Sequence, residues 1–102
     1  MPVHLFGQPC ETEPIVALAK KYNLKIIEDC AEAHFATYKG KTIGNFGEVA
    51  GFSTYFAHTI TTGVGGVVTT NDSELMEICR SLLAPLRTQT EMDRRFTFLR
   101  LG

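Results

Sequence analysis

Apolar residues recur along this chain in two periods. Within residues 10–23, Ile15, Leu18, Ala19 and Tyr22 fall at i, i+3, i+4 and i+7, which predicts a helix with one buried face. Glu11 and Glu13 precede it, Pro14 suits its first turn, Lys20 and Lys21 suit its last, and Asn23 lies beyond. Residues 71–85 predict a second helix. Leu75, Ile78, Cys79, Leu82 and Leu83 form its apolar face, Asn71 with Glu74 resembles a capping box, and Pro85 stops it. The strand-like runs are VHLF (3–6), LKIIED (24–29), VAGFSTYF (49–56) and GGVVTT (65–70). Strand, helix and strand over the first 29 residues predict a βαβ unit with 24–29 as a short, buried, parallel strand. Turn chemistry at Lys39-Gly40 and Asn45-Phe46-Gly47 makes 34–48 a surface excursion. The segment 86–102 is polar, then apolar, and offers no closing element.

This alternation predicts an α/β layered domain. Ligands in such sheets sit outside the carboxyl ends of the strands. Two predicted strand ends carry polar groups there, Glu28-Asp29 and the run from Ser53 to His58.

Composition narrows the function classes. The 102 residues are enough for one small domain, 44% hydrophobic and 21% charged, with a formal net charge of −1. That balance argues against nucleic acid or an anionic membrane as partner. No apolar run reaches the length of a membrane span and no secretory signal pattern opens the chain, so the expected location is cytoplasmic. Cys10, Cys30 and Cys79 are widely spaced, without a C-x-x-C pair, and read as reduced thiols with neither zinc nor disulfide.

The strings VHLFGQP, IIEDCAEAHFATYKGKTIGNFGE, FSTYFAH and GVGGVVTTND, in that order and spacing, resemble the centre of the large domain of the DegT/StrS-type sugar aminotransferases. The resemblance covers residues 3 to about 84. It implies a three-layer α-β-α piece of an aspartate-aminotransferase-like large domain over residues 1–102, without a complete second domain. It also implies pyridoxal 5'-phosphate or pyridoxamine 5'-phosphate as cofactor, a nucleotide-linked keto-sugar as substrate, and a homodimer in a longer parent protein. Residue by residue, Asp29 matches the aspartate that pairs with the pyridine nitrogen, and a carboxylate there favours the protonated ring. Ala31 matches the residue packed on the ring face, and Glu32 a position, usually Gln, near the ring hydroxyl. Ser53 matches the serine that holds the phosphate.

His58 departs from the pattern, standing where the family has the lysine that joins the cofactor covalently. Imidazole lacks a primary amine but exchanges protons near neutral pH. A subset of the family, the keto-sugar 3-dehydratases, makes this substitution, and Glu32 also resembles that subset. The implied reaction is loss of the sugar 3-hydroxyl, with non-covalent pyridoxamine phosphate and His58 as acid and base. Thr59 and Val64 depart from the subset, which commonly has a second histidine and an acid at these positions. An aminotransferase relative and a non-catalytic interaction module stay open beside it, and residues 1–102 alone are expected to be inactive. Taken singly, Asp29 is an ordinary turn former, Ser53 an ordinary backbone partner, His58 an ordinary surface histidine, and GVGG a hairpin turn. His4 and His34 read as structural, and Cys30 as a small hydrophobe.

Overall fold

The computed structural model describes residues 1–83 and 96–100. In chain order the elements are α1 (Thr12–Tyr22), β1 (Ile27–Asp29), β2 (Thr37–Tyr38), β3 (Lys41–Thr42), β4 (Val49–Ser53), β5 (Gly66–Thr70), α2 (Ser73–Leu83) and β6 (Phe96–Arg100). A four-stranded mixed sheet runs β1-β4-β5-β6. β1 is parallel to β4, β4 antiparallel to β5, and β5 parallel to β6. The expected mixed α/β architecture is therefore present.

Helix α1 ends as its sequence dictates. Asn23 takes the left-handed conformation (φ 52°), and Leu24 N–H donates to the Ala19 carbonyl at 2.8 Å. Its predicted apolar face is only partly used. Ala19 is buried and Ile15 half-buried, whereas Leu18 and Tyr22 are 54% and 60% exposed. Helix α2 is capped by Asp72 and not by Asn71. Asp72 Oδ1 accepts the N–H groups of Glu74 at 2.8 Å and Leu75 at 3.1 Å. Met76, between the predicted positions, is buried, while Ile78 and Leu82 are exposed. Pro85 lies outside the described residues.

The strands are shorter than their apolar runs. Residues 3–6 contribute one parallel bridge, Val3 to Asp29, before the chain reverses through Phe6 and Gly7, both at positive φ. That bridge is the first strand of the expected βαβ unit in rudimentary form. The excursion 34–48 contains the two-stranded hairpin β2–β3, turned at Lys39 (φ 49°) and Gly40 (φ 79°), the sign pattern of a type I′ turn. The segment beyond α2, expected to close nothing, supplies β6.

The core is small. Cys30, Ala33, Ile43 and Ala50 are buried together, with Ala36, Phe46 and Phe52 packed against them. Cys30 behaves as the expected small hydrophobe, and its thiol is pushed up to about 12 by burial first and then by the charges of Glu28 and Asp29.

Beside this core sits a buried carboxylate with no Lys or Arg partner among the described residues. Glu28 is 1% exposed. Its Oε1 accepts the main-chain N–H groups of Phe46 and Gly47, each at 2.7 Å. Its Oε2 accepts from Gly44 N–H at 2.8 Å and from His4 Nε2 at 3.3 Å. A carboxylate offers about four lone-pair positions, so all are used. Gly47 is required where the loop closes: a Cβ there would meet the Ile26 carbonyl oxygen at 2.5 Å.

Two outcomes follow for stability. Glu28→Ala strands the buried main-chain donor of Gly44 and the half-buried ones of Phe46 and Gly47, so at about 1–3 kcal/mol for each donor cut off from water, urea unfolding should show a loss of about 3 kcal/mol. Glu48 accepts the Ile26 N–H at 2.6 Å, and this bond, helped by Lys25, holds its carboxyl below the ordinary 4.5. A carboxyl depressed on folding contributes stability that is present above its unfolded pKa and lost as pH falls through its folded value. Glu48→Gln should accordingly flatten the acid limb of the stability–pH curve below about 4.5, measured by urea titration at stepped pH.

Candidate functional site

The period-two alternation of β1 sends neighbouring acids to opposite sides. Glu28 turns inward to the loop 44–47, and Asp29 turns to the carboxyl end of the strand. The two strand-end acids therefore differ: the Glu28 carboxylate is spent on the loop 44–47, whereas the Asp29 carboxylate keeps one oxygen without a partner among the described residues.

Asp29, Ala31 and Ser53 line one cleft of about 390 Å³, floored by Gly51, Gly65 and Gly66. Asp29 is half-buried and spends Oδ1 on the Ala31 N–H at 3.1 Å. Oδ2 has no hydrogen bond among the described residues. Ser53 ends β4, where its Oγ accepts the Tyr55 N–H at 3.2 Å and keeps its own O–H to donate. Ile27, Phe52, Val67 and Val68 also line it, so the cleft is largely apolar with a carboxylate and a hydroxyl at its edge.

Glu32 and His58 line a second cleft of about 370 Å³, with His34, Phe6, Gly7 and Thr59. The loop 54–65 carries His58. It is closed at its base by Thr54 and Thr62, whose hydroxyls lie 2.8 Å apart, and turned by His58 N–H donating to the Tyr55 carbonyl at 2.9 Å. Glu32 Oε2 and His58 Nδ1 are buried without a hydrogen-bond partner among the described residues. An unpaired buried polar atom costs about 1–3 kcal/mol, and two of them lie beside this one cleft.

The structure thus brings Asp29, Ala31 and Ser53 together and sets Glu32 and His58 in the neighbouring cleft. The chain step from Ala31 to Glu32 joins the two. So does His34, whose Nε2–H donates to the Ser53 carbonyl at 2.8 Å while its ring packs on Phe52 at 5.5 Å. The structural reading of His34 holds, since its ring ties the loop after β1 to the end of β4. Its only sequence signal was its place two residues after Glu32, in a segment leading away from a strand end.

The model of the DegT/DnrJ/EryC1/StrS aminotransferase family matches residues 1–102. The chain is 56% identical over 79 residues to a GDP-perosamine synthase of Escherichia coli O157:H7, covering 78% of this chain and 22% of that protein. It is 56% identical over 78 residues to the dTDP-3-amino-3,6-dideoxy-alpha-D-galactopyranose transaminase of Aneurinibacillus thermoaerophilus, covering 76% and 22%. Among solved structures it resembles Helicobacter pylori PseC, an aminotransferase involved in pseudoaminic acid biosynthesis (TM-score 0.77, 35% identity, 80% of this chain and 22% of that one). It also resembles S. venezuelae DesV (TM-score 0.75, 39% identity, 97% and 27%). The chain therefore spans roughly a fifth to a quarter of the proteins it matches. Pyridoxal phosphate, with its amine form, is the cofactor that goes with this family and fold. The residues present suit it: a carboxylate with a spare oxygen, an apolar cleft with Ala31 and glycines in its lining, and a hydroxyl free to donate.

The unpaired imidazole nitrogen makes a stability outcome. Without a bound guest, His58→Leu should be neutral or stabilising by up to about 1 kcal/mol in urea unfolding, because it removes a buried atom with no partner. A loss of more than about 1 kcal/mol would show that His58 holds the loop.

Proposed function

This chain belongs to the DegT/DnrJ/EryC1/StrS aminotransferase family, and from that premise we propose that it forms the ring-nitrogen and phosphate side of a pyridoxal-phosphate site in a protein that aminates nucleotide-linked keto-sugars. The observation that carries this is the cleft holding Asp29, Ala31 and Ser53 at adjoining strand ends. The GDP-perosamine synthase and the dTDP-sugar transaminase that the chain resembles supply the substrate class.

When bound, the cofactor supplies an electron-withdrawing ring through which an amino group passes between donor and sugar. Asp29 holds the proton on the ring nitrogen, since the ring draws electrons only while charged. Ser53 would hold the phosphate by donating its O–H. Ala31 leaves room for the ring face. Glu32 and His58, with unpaired oxygen and nitrogen, face the reacting side, and His58 moves the proton there. In this proposal residues 1–102 are part of a large domain that works as a homodimer.

Sugar 3-dehydration is a second reading, and His58 favours it. Neither cleft is lined by a lysine among the described residues, so the amine that would tie the cofactor covalently is not supplied here.

Asp29→Asn should leave urea stability within about 0.5 kcal/mol and weaken pyridoxal-phosphate binding by ten-fold or more, read from absorbance titration of the full-length protein. Unchanged binding and turnover would reduce Asp29 to a turn residue. Borohydride reduction followed by peptide mass spectrometry should find no cofactor fixed to Lys39 or Lys41. Fixation at either would remove His58 from the proton-transfer role.

A further inference from the structure

The bond from His34 to Ser53 stands where the β1–β4 ladder stops. Among the described residues that pairing ends at Asp29 and Gly51, and the Gly51 carbonyl accepts the Cys30 N–H at 2.8 Å. The even spacing of a parallel ladder would put the next pair at the Glu32 N–H and the Ser53 carbonyl. The chain has left the sheet by then: residues 31 and 32 form a turn, and the Ala33 N–H folds back on the Cys30 carbonyl at 3.3 Å. His34 supplies a donor in its place, Nε2–H to the Ser53 carbonyl at 2.8 Å. We propose that His34 is a positioning residue for the phosphate hydroxyl: by capping the Ser53 carbonyl it aims Ser53, and so sets the protein's preference for pyridoxal phosphate over pyridoxal itself. The inference rests on the role proposed above for Ser53.

The effect runs through one peptide plane. The Ser53 carbonyl and the Thr54 N–H belong to the same rigid unit. His34 holds its oxygen, and the Gly65 carbonyl accepts its N–H at 3.0 Å. With both ends tied the plane cannot rotate, so the backbone torsion of Ser53 that leads into it is fixed. The Tyr55 N–H then selects the side-chain rotamer by donating to Ser53 Oγ at 3.2 Å, which leaves the hydroxyl proton for a ligand. Without His34, one of these ties is gone and the plane can turn about the other.

His34 is itself held. It is half-buried, and its ring packs on Phe52 with centroids 5.5 Å apart and planes tilted by 46°. A carbonyl accepts only from an N–H, so Nε2 carries a proton whether the imidazole is neutral or charged, and the bond survives in either state. The ring fills space against Phe52, while the N–H alone reaches Ser53, so the two contributions can be removed separately. A hydrogen bond to a phosphate oxygen is charge-assisted and weakens steeply when misaligned. A misaimed hydroxyl therefore costs affinity only for a ligand that carries the phosphate. Pyridoxal shares the ring and lacks that group.

The test measures binding of pyridoxal phosphate and of pyridoxal to the full-length protein by absorbance titration and calorimetry. His34→Phe keeps a ring against Phe52 and removes the donor. It should lower the preference for the phosphorylated ligand by about ten-fold while pyridoxal affinity stays within about two-fold. His34→Gln, whose amide nitrogen falls near the Nε2 position, should bring the preference back to within about three-fold of wild type. Should His34→Phe not fold, His34→Asn takes its place, because its amide nitrogen falls near Nδ1 and stops short of the carbonyl. An unchanged preference in the variant without the donor overturns the inference. So does an equal loss for both ligands, which would make His34 a packing residue only, or a His34→Gln protein that behaves like the variant without the donor. Ser53→Ala separates this inference from the reading beneath it. If Ser53→Ala keeps the preference, Ser53 does not hold the phosphate and both fall. If Ser53→Ala loses it and His34→Phe does not, the inference about His34 alone falls.

Discussion

Four hydrogen bonds into one buried carboxylate tie together segments that are far apart in the chain. Glu28 sits on β1, His4 in the N-terminal segment, and Gly44, Phe46 and Gly47 in the loop before β4. A buried ionised group is tolerated only when its lone pairs are filled, because desolvation otherwise exceeds what the fold can spare. Here main-chain N–H groups do most of the filling. The loop 44–47 must wrap the carboxylate closely, and that closeness leaves no space for a side chain at 47. The small core of Cys30, Ala33, Ile43 and Ala50 then packs beside the wrapped carboxylate.

The candidate site inherits its geometry from this anchor. Once Glu28 is fixed inward, the alternation of an extended strand turns Asp29 the other way. Parallel pairing of Asp29 with Gly51 sets β1 and β4 in register, so that Asp29 and Ser53 reach the same end of the sheet. The antiparallel pairing of Ser53 with Gly66 brings the glycine-rich segment under the same cleft. His34 then fastens the loop after β1 to the end of β4 through the Ser53 carbonyl. The two clefts are separate faces of one junction.

Much of the secondary structure was legible because its signals are local. The left-handed stop at Asn23, the Lys39-Gly40 turn and the 3.6-residue spacing of α1 and α2 depend on a few neighbouring residues. What was misjudged depends on distant partners. The apolar stripes of both helices are wider than the surface that receives them, so Leu18, Tyr22, Ile78 and Leu82 stay exposed while Met76 is covered. The cap of α2 moved from Asn71 to Asp72 because the hydroxyl of Thr70, bonded to the Glu48 carbonyl at 2.6 Å and accepting the Asp72 N–H at 3.1 Å, fixes where the chain leaves β5. Strand 96–100 had no local sign of closure; its pairing with β5 is set by the register of a neighbour some thirty residues earlier.

The sequence by itself determined the alternation of helix and strand, the α/β class, and the ordered set of motifs that carries the family likeness. It also supplied the residues of the candidate site, Asp29, Ala31, Glu32, Ser53 and His58. Only the tertiary structure decided how they divide. It sent Glu28 into the interior and Asp29 to the cleft, separated Glu32 and His58 from Ser53, and made His34 the bridge between them. The physical reason is that a side chain's role follows from which distant donors and acceptors fill its lone pairs. Those partners are chosen by strand register and loop closure, which no window of neighbouring residues encodes.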